Sequence, residues 1–366
     1  MKKEYIFYPA AVLLACALAL LVIEIFLRAF FGFPHGSFNY LLSAKNGLYP
    51  RNSTTIMNYG FKSYSVRANS WGMRGEDVPF EKTKLKRRIV ALGDSVTDGF
   101  FVENDGTYPY FLGRILNASG YPCEVLSVAK GGGSIDKEYA LLKSIMPLKP
   151  DIVILTFVNN DIAEIRGHSR QELLDMKPWK KYNFVQEWFL TRTAIGELAA
   201  DLKLRMRYRN YRRSDRGSAN IAGIYPEERG KDFAGNLKIF EEKFASAEGL
   251  VTHEPFSKET ESLVDNYFFA LKSVDQFCRE NNARLVFVYF PAYSQIYDPS
   301  VSFEMRDILQ SACKNMDIPF LDLTEALKEA GSGRVIHFAP FDFHTNAEGN
   351  RVIAETVAGF IRKIDK

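Results

Sequence analysis

The 366-residue chain is 46% hydrophobic and 25% charged, a balance that excludes intrinsic disorder and permits a core that needs no disulfide or metal staple. Its formal charge of +3 is too small to argue for a nucleic-acid partner. The four cysteines, Cys16, Cys123, Cys278 and Cys313, show no zinc-ligand spacing; Cys16 lies in an apolar run, and Cys278 and Cys313 are the pair left open to a disulfide.

Residues 5–23 carry no charge, and the apolar character resumes after Glu24 as far as Leu27. That approaches the ~20 residues a helix needs to cross the bilayer's hydrocarbon. Lys2 and Lys3 precede the run, which favours a cytoplasmic N-terminus, although Arg28 on the far side weakens the bias. The rival reading, a cleaved signal peptide, requires a shorter apolar stretch and a small-residue cleavage site. Here Arg-Ala-Phe-Phe-Gly-Phe follows instead. Residues 1–31 are therefore expected to form a cytoplasmic tip and a single membrane anchor, with the remaining chain outside the cytoplasm.

Residues 32–86 read as a polar, extended connector of turns and short extended pieces. Five short apolar, β-branched runs follow at 88–92, 123–128, 151–157, 284–290 and 318–322. Their near-continuous hydrophobicity predicts strands covered on both faces. Helical patterns fall between and after them, at 108–119, 137–146, 259–281, 302–315 and 346–364. Alternating strands and helices predict an α/β fold, a three-layer αβα sandwich around a five-stranded, mostly parallel sheet. The long gap between the third and fourth strands predicts an insertion at about 163–258, which contains the basic run 203–213. That run reads as a solvated surface or as a contact for anionic lipid headgroups or an acidic glycan.

Four clusters carry chemistry, each placed where a predicted strand ends or a helix begins. Gly93-Asp94-Ser95 follows the first strand, and Gly131-Gly132-Gly133 follows the second. Asn159-Asn160-Asp161 follows the third, and Asp342-Phe343-His344 leads into the last helix. Ligands in parallel α/β sheets bind at the carboxyl ends of strands. An asparagine amide and a glycine N–H are donors for a developing oxyanion, and an acid beside a histidine fixes its tautomer. Taken singly, each cluster reads first as an ordinary turn or structural loop.

Together, in the order Ser, Gly, Asn, then Asp and His, these residues resemble the SGNH/GDSL hydrolase family over roughly 88–146, 150–161 and 282–366. Residues 66–75 also resemble the lead-in of membrane-anchored envelope members. The resemblance implies Ser95 as nucleophile and His344 as base, with Asp342 as the orienting acid. It implies an oxyanion hole of Ser95 N–H, Gly132 N–H (Gly131 or Gly133 in a shifted register) and the Asn160 amide. No metal or organic cofactor is implied. Asp94 and Asp161 are expected to shape their turns. Two departures stand out. The usual Asp-x-x-His spacing is here Asp-x-His, which leaves a Ser–His dyad open. Ser127 and Ala129 stand where the family often has asparagine and glycine. The implied activity is hydrolysis of an acyl ester, short-chain such as acetyl, on an envelope glycan. O-acetyl transfer to a polysaccharide, a lipase activity and an inactive glycan-binding scaffold are the competing readings. Trp179, Tyr182, Trp188, Tyr208 and Tyr211 are candidate sugar-stacking residues.

Overall fold

The computed structural model describes residues 4–32, 48–58, 62–83, 85–175, 184–199, 202, 230–244, 249–252 and 255–365. The basic run 203–213 and Trp179, Tyr182, Tyr208 and Tyr211 lie outside the described residues. A helix, Glu4–Phe31, opens the chain. Its stretch Tyr8–Phe31 is long and apolar enough to cross a membrane, with only 6% of its most apolar window buried in the protein.

Two sheets follow. Strands β1 (Thr54–Asn58) and β2 (Ser63–Arg67) form an antiparallel hairpin. Strands β3 (Arg87–Gly93), β4 (Cys123–Ala129), β5 (Ile152–Phe157), β6 (Arg284–Tyr289) and β7 (Phe320–Asp322) form a five-stranded sheet in the order β4-β3-β5-β6-β7. All four pairings are parallel. This is the expected α/β architecture with a flavodoxin-like strand order.

The strand sequences explain the layering, because side chains alternate across a sheet. Val90, Leu92, Val153, Leu155, Leu285 and Phe287 face one core, built with the helices Ile135–Ile145, Lys258–Glu280 and Glu304–Asn315. Ile89, Ala91, Ile152, Ile154, Val286 and Val288 face the other, with the helices Tyr108–Ala118, Thr324–Gly333 and Ala347–Ile364. Cys278 and Cys313 share the first core as unbonded thiols, so the disulfide left open by the sequence does not form.

The stretch expected to be an extended connector does more than connect. Leu48 and Met73 enter the first core. Tyr49, Met57, Tyr64, Val66 and Ala68 form a third core with Phe101, Val102 and Phe338. Arg74, nearly buried, donates to the carbonyls of Asp98 and Gly99 at 2.5 and 2.7 Å and to that of Val102. The Tyr49 hydroxyl is hydrogen-bonded to the Asp98 carboxylate. This segment thus braces the turn that follows Ser95. In the insertion, the described helices include Arg170–Asp175, Phe184–Arg192 and Phe233–Phe244.

Candidate active site

Ser95 opens a single helical turn, Ser95–Asp98, directly after β3. Gly93 is required there: a Cβ at that position would lie 2.2 Å from Thr97 Oγ1. Asp94 caps the turn, its Oδ1 accepting from Val96 N–H at 3.0 Å. Gly99 ends it in the left-handed region, at φ +77°, where L side chains are strained. The nucleophile candidate is thereby presented at the sheet's carboxyl edge.

His344 reaches Ser95 from a distant part of the chain. Its Nε2 lies 2.8 Å from Ser95 Oγ, and its Nδ1 lies 2.5 Å from Asp342 Oδ1. The same carboxylate oxygen accepts the His344 backbone N–H at 2.9 Å. With Nδ1–H donated to Asp342, Nε2 is the unprotonated acceptor facing the serine hydroxyl. Phe100 stacks on the imidazole with centroids 5.1 Å apart, and Phe101 meets it edge-on at 5.7 Å. On the C-terminal side, Asn346 caps the helix Ala347–Ile364 and donates to Val335 O. Ser95 Oγ is also 3.0 Å from Asp94 Oδ2. A hydroxyl carries one proton, so Asp94 and His344 compete for it.

Asn160 begins the short helix Asn160–Glu164 after β5. Its Nδ2 donates to Glu164 Oε1 at 3.1 Å, leaving the second amide hydrogen for another acceptor. Its neighbour Asn159 donates to Gln295 Oε1, which also accepts from Tyr289 Oη and Ala292 N–H. Asp161 Oδ2 accepts from Val158 N–H at 3.1 Å.

A cavity of about 260 Å³ joins these groups. Its polar wall is Asp94, Ser95, Asn159, Asn160, Glu164, Asp342 and His344. Its apolar wall is Val96, Val158, Phe240, Phe290, Ala292, Tyr293 and Phe343. Gly132 does not line it, nor do Gly131 and Gly133. Gly132 has φ +72°, its carbonyl accepts from Lys137 Nζ at 2.9 Å, and Gly131 N–H is directed at Asp98. A larger open cleft between the hairpin and β4, lined in part by Arg67, Arg74 and Glu103, contains none of these residues.

No protein-family model matches the chain, and no curated protein matches it. Solved structures do. The chain is similar to the acetyl xylan esterase AlAXEase, with 13% identity, TM-score 0.41, and coverage of 75% of this chain and 99% of that one. It is similar to TesA, with 12% identity, TM-score 0.42, and coverage of 76% and 99%. It is also similar to Axe2, an acetylxylan esterase from Geobacillus stearothermophilus, with 14% identity, TM-score 0.40, and coverage of 78% and 97%.

Several residues of the site had no sequence signal. Phe100 and Phe101 hold the imidazole, but adjacent phenylalanines read as core. Phe240 reaches the cavity from the insertion, where it packs on Phe343 and Tyr293. Glu164 belongs to a buried acidic group with Asp94, Asp136, Glu138 and Asp161. Burial, reinforced by the Asp94 charge, pushes the Glu164 carboxyl up to about 7. Burial raises Glu138 and Asp161 well above the carboxylate range, and neighbouring acids add to this. Among the described residues, no group of three or more His, Cys, Asp or Glu is placed to hold a metal ion.

Proposed function

We infer that this protein is a serine ester hydrolase of the SGNH/GDSL kind, tethered to a membrane by the helix Glu4–Phe31, with its catalytic domain outside the cytoplasm. The single observation that carries the reading is the continuous Ser95–His344–Asp342 hydrogen-bond relay opening on a half-apolar cavity. Ser95 Oγ attacks the ester carbonyl as His344 Nε2 takes its proton, and Asp342 stabilises the imidazolium that forms. The oxyanion is held by Ser95 N–H and the free Asn160 amide hydrogen. Gly132 N–H enters as a third donor, supported by its position at the carboxyl end of β4 alone. His344 then protonates the leaving alcohol, and water releases the acyl group by the same relay. Asp94 and Asp161 support the turns carrying Ser95 and Asn160 through their backbone bonds. The proposed substrate is an acylated glycan or related ester of the envelope with a short acyl group. The modest cavity supports a small acyl group.

The test is hydrolysis of p-nitrophenyl acetate and butyrate by the full chain in detergent or nanodiscs, beside Ser95→Ala. Loss of about 10³-fold or more in kcat establishes serine nucleophilic catalysis. Equal rates in both proteins overturn the reading.

A further inference from the structure

In the insertion, the helix Phe184–Arg192 carries Val185, Trp188 and Phe189 at 71%, 54% and 42% exposure. They stand at i, i+3 and i+4, so they share one helix face. Among the described residues, no core takes them up.

The N-terminal helix fixes where this face lies. Arg28 Nη2 donates to the Arg192 carbonyl at 2.6 Å, at the end of the exposed helix. Glu24 accepts the backbone N–H groups of Ala194 and Ile195 at 2.9 and 3.1 Å. These open the next helical stretch, 194–199, whose first N–H groups lack intrahelical partners. Leu27, between Glu24 and Arg28, is buried at 8% exposure, unlike the exposed Ile23, Ile25, Phe26 and Phe30 around it.

The level follows from length. The uncharged residues 5–23 run about 28 Å at about 1.5 Å per helical residue, against ~30 Å of hydrocarbon. Glu24 and Arg28, the first charges after that run, lie in the last eight residues of the stretch Tyr8–Phe31 and so mark the outer end of the anchor. Arg192 and Ala194 are bonded to those two side chains and share their level.

We propose that Phe184–Arg192 is an interfacial helix lying on the outer bilayer surface, its Val185, Trp188 and Phe189 face set among the lipid acyl chains. The proposal rests on the reading of Glu4–Phe31 as a membrane anchor. The anchor and this helix are joined by the Arg28–Arg192 bond, which brings both within reach of one bilayer. A tryptophan at headgroup depth suits that position, and Arg192, which ends the same helix face as Val185, Trp188 and Phe189, can extend its charged head into the headgroup layer. The helix tethers the insertion, which further along contributes Phe240 to the cavity wall, so the catalytic cavity is held beside the membrane by two contacts rather than one.

The test uses the full chain in phosphatidylcholine nanodiscs with Cys16 replaced by serine, the other cysteines being buried. Single spin labels are placed at V185C and F189C, at V12C within the anchor, and at E325C, whose native side chain is 88% exposed. The ratio of oxygen to nickel-chelate accessibility is expected to be at least several-fold higher at 185, 189 and 12 than at 325. A water-like ratio at 185 and 189 with a lipid-like ratio at 12 overturns the interfacial helix and leaves the anchor standing. A water-like ratio at 12 overturns the anchor reading and the proposal with it. In protein without labels, brominated lipid is expected to quench emission that Trp188→Phe removes. Equal quenching in both proteins overturns the proposal.

Discussion

Asp342 holds His344 through one oxygen: Oδ1 meets the ring Nδ1 at 2.5 Å and the backbone N–H of the same residue at 2.9 Å. The carboxylate folds back over the residue two positions on, as aspartate does in an Asx turn. The loop is shaped for it: Asp342 N–H donates to Phe338 O, and Phe338 N–H donates to His344 O. The Asp-x-His spacing, which left a Ser–His dyad open, thus brings the acid to the ring by a short local route.

If this contact fixes the tautomer, Asp342→Asn lowers kcat by roughly 10²–10⁴ with KM little changed, because an amide can donate to Nδ1 and move the proton to Nε2. Steady-state kinetics on p-nitrophenyl acetate check this. Wild-type kcat in the variant leaves a dyad as the working unit.

Glu164 is expected to give the proposed reaction a pH dependence. It accepts one hydrogen of the Asn160 amide and lines the same cavity as Ser95. Burial and the Asp94 charge place its titration at about 7. Below that pH the carboxyl is neutral; above it, a negative charge faces the proposed oxyanion site. An alkaline decline in kcat/KM with an apparent pKa near 7 is expected in wild type. Glu164→Gln keeps the bond to Asn160 and removes the decline, whereas a decline that persists in the variant belongs to another group.

Much of this arrangement was legible in the sequence, and the reason is local. Buried parallel strands read as unbroken β-branched runs, so β3 and β5 appear at 88–92 and 151–157, within a residue or two of their observed ends. Ser95, Asn160 and His344 stand where those strands end or the last helix begins. The helix Thr324–Gly333 was missed because Gly331, Ser332 and Gly333 weaken its pattern. The hairpin was missed because five-residue strands carry little periodicity. Phe240 and the Phe100–Phe101 clamp act across long sequence separations, which spacing alone does not encode. Gly132 carries less support than Ser95 and Asn160: its place after β4 suggested a donor, and it does not line the cavity.

His337 couples folding to acid. Its ring is buried, with Nδ1 3.4 Å from Tyr297 Oη. Burial, with the His344 charge adding to it and Asp342 opposing, lowers its pKa to about 3 from 6.5. A depressed histidine stays neutral in the fold while the unfolded chain takes up a proton, so its contribution is fully present above pH 6.5 and lost progressively as pH falls towards 3. At about 1.4 kcal/mol per unit, some 2 kcal/mol is lost by pH 5. Urea unfolding of wild type and His337→Gln at pH 7 and pH 5 checks this through the difference between them. The raised carboxyls titrate in both proteins and cancel. The same pH loss in both proteins rules His337 out.

Arg74 ties the connector to the turn that follows Ser95. Its guanidinium satisfies the carbonyls of Asp98, Gly99 and Val102, and that turn carries Phe100 and Phe101 onto the imidazole. Arg74→Met leaves those three carbonyls without their cationic donor, which costs roughly 3 kcal/mol or more. The imidazole also loses part of its packing support, so kcat falls while KM changes less. Urea midpoints and initial rates measured on the same preparation separate the two effects. A stability loss below about 1 kcal/mol means that the carbonyls find other donors, and that the segment before β3 is not the brace described here.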